Sequence, residues 1–91
     1  MPDKASKLLE SMRGSKANRK REDLIALYKG FGFEVESRTK HDRVWHPDHP
    51  ELYDHIPRHR RLAVAYVAKA VKLIDRLHRL QEIESSEEND G

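Results

Sequence analysis

The apolar residues change their period between positions 24 and 37, and that change limits what this chain can fold into. Leu24, Leu27, Tyr28 and Phe31 recur three and four residues apart, which makes a single helical stripe. Phe33, Val35 and Ser37 then alternate with Glu34, Glu36 and Arg38, as in a strand with one covered face. Between the two patterns stand Gly30 and Gly32, either of which can take the left-handed C-cap of the helix. Glu22 and Asp23 fall in the first turn, where negative charge suits the helix dipole. The spacing predicts a helix over 22–31 followed by a strand.

A second strand is expected over 42–46. Its parity places Asp42, Val44 and His46 on one face and His41, Arg43 and Trp45 on the other. Thr39-Lys40 lacks the glycine of a tight primed turn, so a longer or bulged connection is expected there. Pro47-Asp48-His49-Pro50 reads as a turn, and residues 52–56 as a third strand ended by Pro57. Val67, Ala70, Val71, Ile74 and Leu77 then form a helical stripe that starts near Val64 and runs towards Leu80. Leu8, Leu9 and Met12 share a face of a short helix over 4–12, and Gly14-Ser15 breaks it before a polar, basic connector.

This order predicts an α+β domain, a three-stranded antiparallel sheet packed on two helices. It is a double-stranded-RNA-binding-like α-β-β-β-α arrangement with an extra short N-terminal helix. We divide the chain into an N-terminal helix and basic linker over 1–21, a folded domain over 22–82 and an acidic disordered tail over 83–91. With 91 residues, of which 36% are hydrophobic and 37% charged, a single thin core is all the chain can bury.

The net charge is only +2, but it is unevenly placed. Seven basic residues among the first 21 (Lys4, Lys7, Arg13, Lys16, Arg19, Lys20 and Arg21) face only Asp3 and Glu10. The last eleven positions hold Glu82, Glu84, Glu87, Glu88 and Asp90 and no basic residue. The acidic end therefore hides a basic body, of the kind that attracts phosphate backbones by counterion release. A solvated surface with a solubilising tail is the plainer account. No cysteine is present, so disulfide and thiolate chemistry are excluded. No apolar run reaches membrane-spanning length and no signal-like segment opens the chain, so no membrane partner and a cytoplasmic location are expected.

The central motif is Gly32-Phe33, then Thr39-Lys40-His41-Asp42-Arg43-Val44-Trp45-His46-Pro47. It resembles the HicA-type toxin family, in which a helix ends in Gly-Phe and a strand leads to Gly-Ser-His. Ile56-Pro57-Arg58-His59 resembles the segment after the family's third strand, and Tyr66–Leu77 its closing helix. Lys7–Leu27 resembles a subgroup with an added N-terminal helix, so the likeness covers roughly residues 7–80. Thr39-Lys40 occupies the place of the family's Gly-Ser.

The resemblance implies an mRNA interferase, a metal-independent RNA endonuclease without a cofactor. Such an enzyme is the toxin of a type II toxin–antitoxin pair, restrained by a HicB-type antitoxin. His41 falls on the family's catalytic histidine. RNA can be cleaved by its own 2′-hydroxyl, which needs a base, an acid for the leaving oxygen, and positive charge at the phosphate. His41 is the expected base, and Lys40, Arg43, Arg58, Arg60 and Arg61 are the expected RNA-binding cations. His46 and His59 are candidate acids by residue type. Trp45 is a candidate base-stacking residue, although a lone strand tryptophan more often packs. His46, His49, His55 and His59 are dense enough to raise a metal site, but their spacing across Pro47, Pro50 and Pro57 fits no known ligand pattern. Two other readings stand beside the enzyme: a catalytically inactive RNA-binding module, and a subunit whose basic face meets an acidic protein.

Overall fold

The computed structural model describes residues 4–58 and 62–89, except the side chains of 85–89. The order is α1 (Lys4–Gly14), α2 (Arg21–Gly30), β1 (Glu34–Ser37), β2 (His41–Trp45), β3 (Tyr53–Pro57) and α3 (Val64–Asn89). The strands form one antiparallel sheet in the order β1-β2-β3, with β2 central. The fold is therefore the expected α+β arrangement, with α2 and α3 covering one face of the sheet and α1 laid across both helices.

The core follows from the two periodicities. α2 contributes Leu24, Leu27 and Tyr28, and the inner face of the sheet contributes Val44 and Ile56. α3 contributes Val67, Ala70, Val71, Leu73, Ile74 and Leu77. Phe33 and Leu52, just before β1 and β3, fill the end of this core. α1 is not an appendage to it. Its Met12 is fully buried and its Leu9 nearly so, both within the same cluster. Fully burying side chains of this size stabilises by about 1.5–3 kcal/mol each, so the N-terminal helix adds substantially to a thin core.

Local chemistry explains the helix ends. At the start of α2 the Asp23 carboxylate accepts the Lys20 backbone N–H at 3.1 Å, and Asp23 N–H donates to the Lys20 carbonyl at 3.0 Å. These bonds satisfy groups a helix start otherwise leaves orphaned. Gly32, with φ +89°, takes the left-handed position after α2, where a side chain would be strained. Gly30 instead is the last residue of the helix, and a Cβ there would drive into the Ala5 side chain. The close approach of α1 to α2 depends on that bare backbone.

Three expectations are corrected. The β1–β2 connection is tight, not long or bulged: Arg38 N–H donates to the His41 carbonyl at 2.9 Å across Thr39-Lys40 alone. Neither turn residue has positive φ, so this turn does without the glycine of the primed types. The third strand runs one residue later than expected, and Pro57 closes it; on an edge strand, its missing N–H disturbs no neighbour. The acidic stretch does not break from the domain, because α3 continues to Asn89. Its Gln and Glu residues are good helix formers and extend a helix already nucleated on the core. His49 Nε2, 3.1 Å from Glu84 Oε1, ties that extension to the turn after β2.

Candidate active site

Strand parity and register together build the face of the sheet away from the helices. His41 stands opposite Pro57, Arg43 opposite His55, and Trp45 opposite Tyr53. On the other side of β2, Glu36 stands opposite Arg43 and Glu34 opposite Trp45. The Arg38–His41 turn bond extends the pattern by one step. The open face is thus three cross-strand rows: Arg38, His41 and Pro57; Glu36, Arg43 and His55; Glu34, Trp45 and Tyr53. Arg38, Arg43, Pro50, Tyr53 and His55 line a shallow depression on it.

Apart from Pro57, which is buried, the side chains of this face are open to a ligand in whole or in part. His41, Arg43 and His55 are exposed, and Tyr53 is 53% exposed despite its size. His41 makes no side-chain hydrogen bond or ion pair among the described residues. The Arg43 guanidinium lies over the Trp45 ring, 5.2 Å from its centroid, and pairs with no carboxylate among the described residues. Arg38 does pair, with Glu36 at 2.9 Å. Lys40, in the turn, is exposed. Along β2 and β3 the cations are interleaved with flat rings, which suits a polyanion that carries stackable bases, while Glu34 and Glu36 place negative charge along β1.

Beneath this face, alternate residues of the same strands carry buried charge. Asp42 is fully buried between His41 and Arg43 in sequence. Arg21 Nε, from the first residue of α2, lies 3.2 Å from Asp42 Oδ2, and Arg58 Nη2 lies 3.5 Å from Oδ1. The Arg21 approach is a charge contact without hydrogen-bond alignment, so Oδ2 is otherwise unpartnered. Asp54, on β3, accepts the Tyr28 hydroxyl at 2.9 Å, the Lys69 ammonium at 3.1 Å and the His55 backbone N–H at 2.8 Å. Burial raises the Tyr28 phenol pKa far above its ordinary value, and the charge of Asp54 and their hydrogen bond add to the effect. Tyr28 therefore remains a neutral donor. These two carboxylates fasten β2 and β3 to the helices directly behind His41, Arg43 and His55.

The residues singled out from the sequence separate into groups. The fold places His41, Arg43 and Trp45 on one face, with Lys40 at its edge in the turn. Trp45 is half-buried on this open face and is not part of the core cluster. Arg58 is turned towards Asp42 and the helix side of the sheet. Arg60, Arg61 and His59 lie outside the described residues. His46 is 4% exposed on the inner side, its ring edge-on to Phe33 and its Nδ1 accepting the Asp48 N–H at 3.2 Å. It cannot share a substrate with His41 through the sheet.

Sequence reasoning gave no role to Tyr53 or Arg38, and weighed His55 only for a metal site that its spacing disfavours. Part of the signal was present, because Tyr53 and His55 alternate with Leu52, Asp54 and Ile56 and so must face away from the core. The missing part was register, which sets His55 against Arg43. The four-histidine cluster is divided by the same parity: His55 points outward, while His46 and His49 belong to the turn after β2. Among the described residues no three His, Cys, Asp or Glu side chains are arranged to hold a metal ion. Nor is any described helix long and apolar enough to cross a membrane. No family model, curated protein or solved structure was found to match the chain.

Proposed function

We propose that the chain is a metal-independent RNA endonuclease of the HicA type, the toxin of a toxin–antitoxin pair, with His41 as its general base. The observation that carries this reading is the position of His41. It is exposed at the start of β2, on the open face, with Lys40 before it and Arg43 two residues on. The likeness of residues 32–47 to the HicA motif supplies the reaction.

In this mechanism an imidazole nitrogen of His41 takes the proton of a ribose 2′-hydroxyl. The 2′-oxygen attacks the adjacent phosphorus, and the bond to the 5′-oxygen breaks. The products are a 2′,3′-cyclic phosphate and a 5′-hydroxyl, which receives a proton as it leaves. Lys40 and Arg43 hold the non-bridging phosphate oxygens, where positive charge counts most as the phosphorus becomes crowded. Trp45, already beneath the Arg43 guanidinium, offers a ring on which a base stacks. A HicB-type antitoxin restrains the enzyme by covering the same face.

The test is cleavage of a single-stranded RNA by the purified protein in chelator, wild type against His41→Ala. Loss of a general base lowers the rate by about 10²–10⁴-fold. A His41→Ala protein that cuts at the wild-type rate refutes the assignment. RNA retention without cleavage by the wild type favours the inactive RNA-binding module, for which Trp45, Tyr53 and Arg43 provide the surface.

A further inference from the structure

We infer that His55 is the second proton-transfer group of this site, the general acid that protonates the departing 5′-oxygen. The inference rests on the endonuclease reading above and completes its proton balance. His41 gains the 2′-hydroxyl proton and His55 gives one to the 5′-oxygen. One P–O bond forms, one breaks, and no co-reactant is needed. The two histidines are reset when water later exchanges their protons.

Register is what brings the pair together. His41 is opposite Pro57 and Arg43 is opposite His55, so His41 and His55 are diagonal neighbours on one face of an antiparallel pair. Cα atoms in that relation lie about 7–8 Å apart, within joint reach of long side chains. A phosphorus whose attacking and leaving oxygens each sit within about 2.6–3.2 Å of one imidazole fits between groups so placed. Arg43 stands directly across from His55 and next to His41 in the outward parity of β2, where a non-bridging oxygen of that phosphate would lie. Pro57, beside His55 in that parity and opposite His41, adds no competing charge.

Among the described residues this role falls to His55; His59 lies outside them. His46 is buried on the other side of the sheet, and His49 is held against Glu84. His78 is on α3, its ring edge-on to Phe31. Glu36 shares the row of Arg43 and His55, but Arg38 holds it in an ion pair. The charged and titratable groups that share the face with His55 are thus Arg43, Glu36, Glu34, Arg38, His41 and Tyr53. Tyr53 is its ring neighbour at 6.1 Å. The backbone also fixes His55 in place. Its N–H donates to Asp54 Oδ1 at 2.8 Å, and Asp54 is itself held by Tyr28 and Lys69. None of those bonds uses the imidazole, so His55→Ala leaves the scaffold intact.

The experiment uses two RNA dinucleotide substrates in chelator, one ordinary and one with sulfur in place of the bridging 5′-oxygen. A thiolate leaves without being protonated, so the sulfur substrate removes the need for an acid. For His55→Ala the expected loss of kcat on the ordinary substrate is about 10²–10⁴-fold. KM should change little, and most of that loss should be recovered on the sulfur substrate. His41→Ala should stay slow on both. The pH profile of His55→Ala should lose the decline at high pH that an acid imposes, while His41→Ala loses the rise at low pH. Unchanged circular dichroism of His55→Ala is expected throughout.

Wild-type kcat in His55→Ala overturns the role of His55 and leaves the endonuclease reading standing. An equal deficit of His55→Ala on both substrates also overturns it, and makes His55 a binding residue. Wild-type protein that cuts neither substrate overturns the endonuclease reading and the role of His55 with it. That result is read without any variant.

Discussion

Replacing Arg21 by alanine should destabilise the domain through the buried carboxylate of Asp42. Asp42 is fully buried, and among the described residues two cations approach it. Removing the partner of a fully buried ion pair costs about 3–5 kcal/mol, because the remaining charge is left uncompensated. Two features lower that figure here. The Arg21 side chain is 27% exposed, and Arg58 remains 3.5 Å from the other carboxylate oxygen. We therefore expect about 2 kcal/mol for Arg21→Ala. For a domain of this size, each kcal/mol moves Tm by about 4–8 °C, so the shift should be about 8–16 °C. Arg58→Ala, with the more exposed side chain and the longer contact, should cost under about 1 kcal/mol. The double variant should cost more than the two singly, since it strips both compensating charges found among the described residues. Adding Asp42→Asn to Arg21→Ala should recover part of the loss. Thermal and urea unfolding followed by circular dichroism measure all four. If Arg21→Ala melts within about 2 °C of wild type, the Asp42 charge is being compensated by something other than these two arginines and the reasoning fails.

Two more outcomes are expected from the helix contacts. Gly30→Ala should destabilise by about 1–3 kcal/mol in urea unfolding, the usual cost of overpacking; adding Ala5→Gly should return much of it, since the clash is with the Ala5 side chain. The hydrogen bond from Arg13 holds the Asp75 carboxyl below its ordinary range; burial works against it, and the charges of Arg13, His78 and Arg79 add to it. A lowered carboxyl stabilises the fold above its unfolded pKa and loses that contribution as pH falls through the folded value. Both side chains are more than a third exposed, so solvent screening limits the pair to about 1 kcal/mol. The stability gap between wild type and Asp75→Asn should therefore be present at neutral pH and close as the solution becomes strongly acidic.

The sequence carries the fold through local repeats and loses the site through distance. The stripe of Leu24, Leu27 and Tyr28 and the alternation around Val44 are each visible within a dozen residues, and both hold in the structure. The parity that set Asp42 beside Val44 and His46 was also visible. What made a carboxylate tolerable on that face was not, because Arg21 arrives from α2 and Arg58 from beyond β3. Arg58 looked like a phosphate contact for the same reason, since its partner lies sixteen residues away. Turn preference at Thr39-Lys40 points to a longer connection, whereas the register imposed by neighbouring strand pairs closes that turn without glycine. His55 shows the limit most plainly. Its outward direction is local information, but its nearness to His41 exists only once β2 and β3 have paired.

The long closing helix gives the molecule an electrical axis. Its acidic end is clasped to the turn after β2 by the contact between His49 and Glu84. Arg38 and Lys40 stand at the opposite end of β2, with Arg21 close by at Asp42. The helix macrodipole points the same way, with its negative pole at the acidic end. For the RNA substrate proposed above, this axis means a torque as well as an attraction, with the strand turned so that its charge lies over the β1–β2 turn. Salt weakens such guidance over distances beyond about 8 Å at physiological strength. Encounter should thus slow with added salt before contact at the sheet is lost.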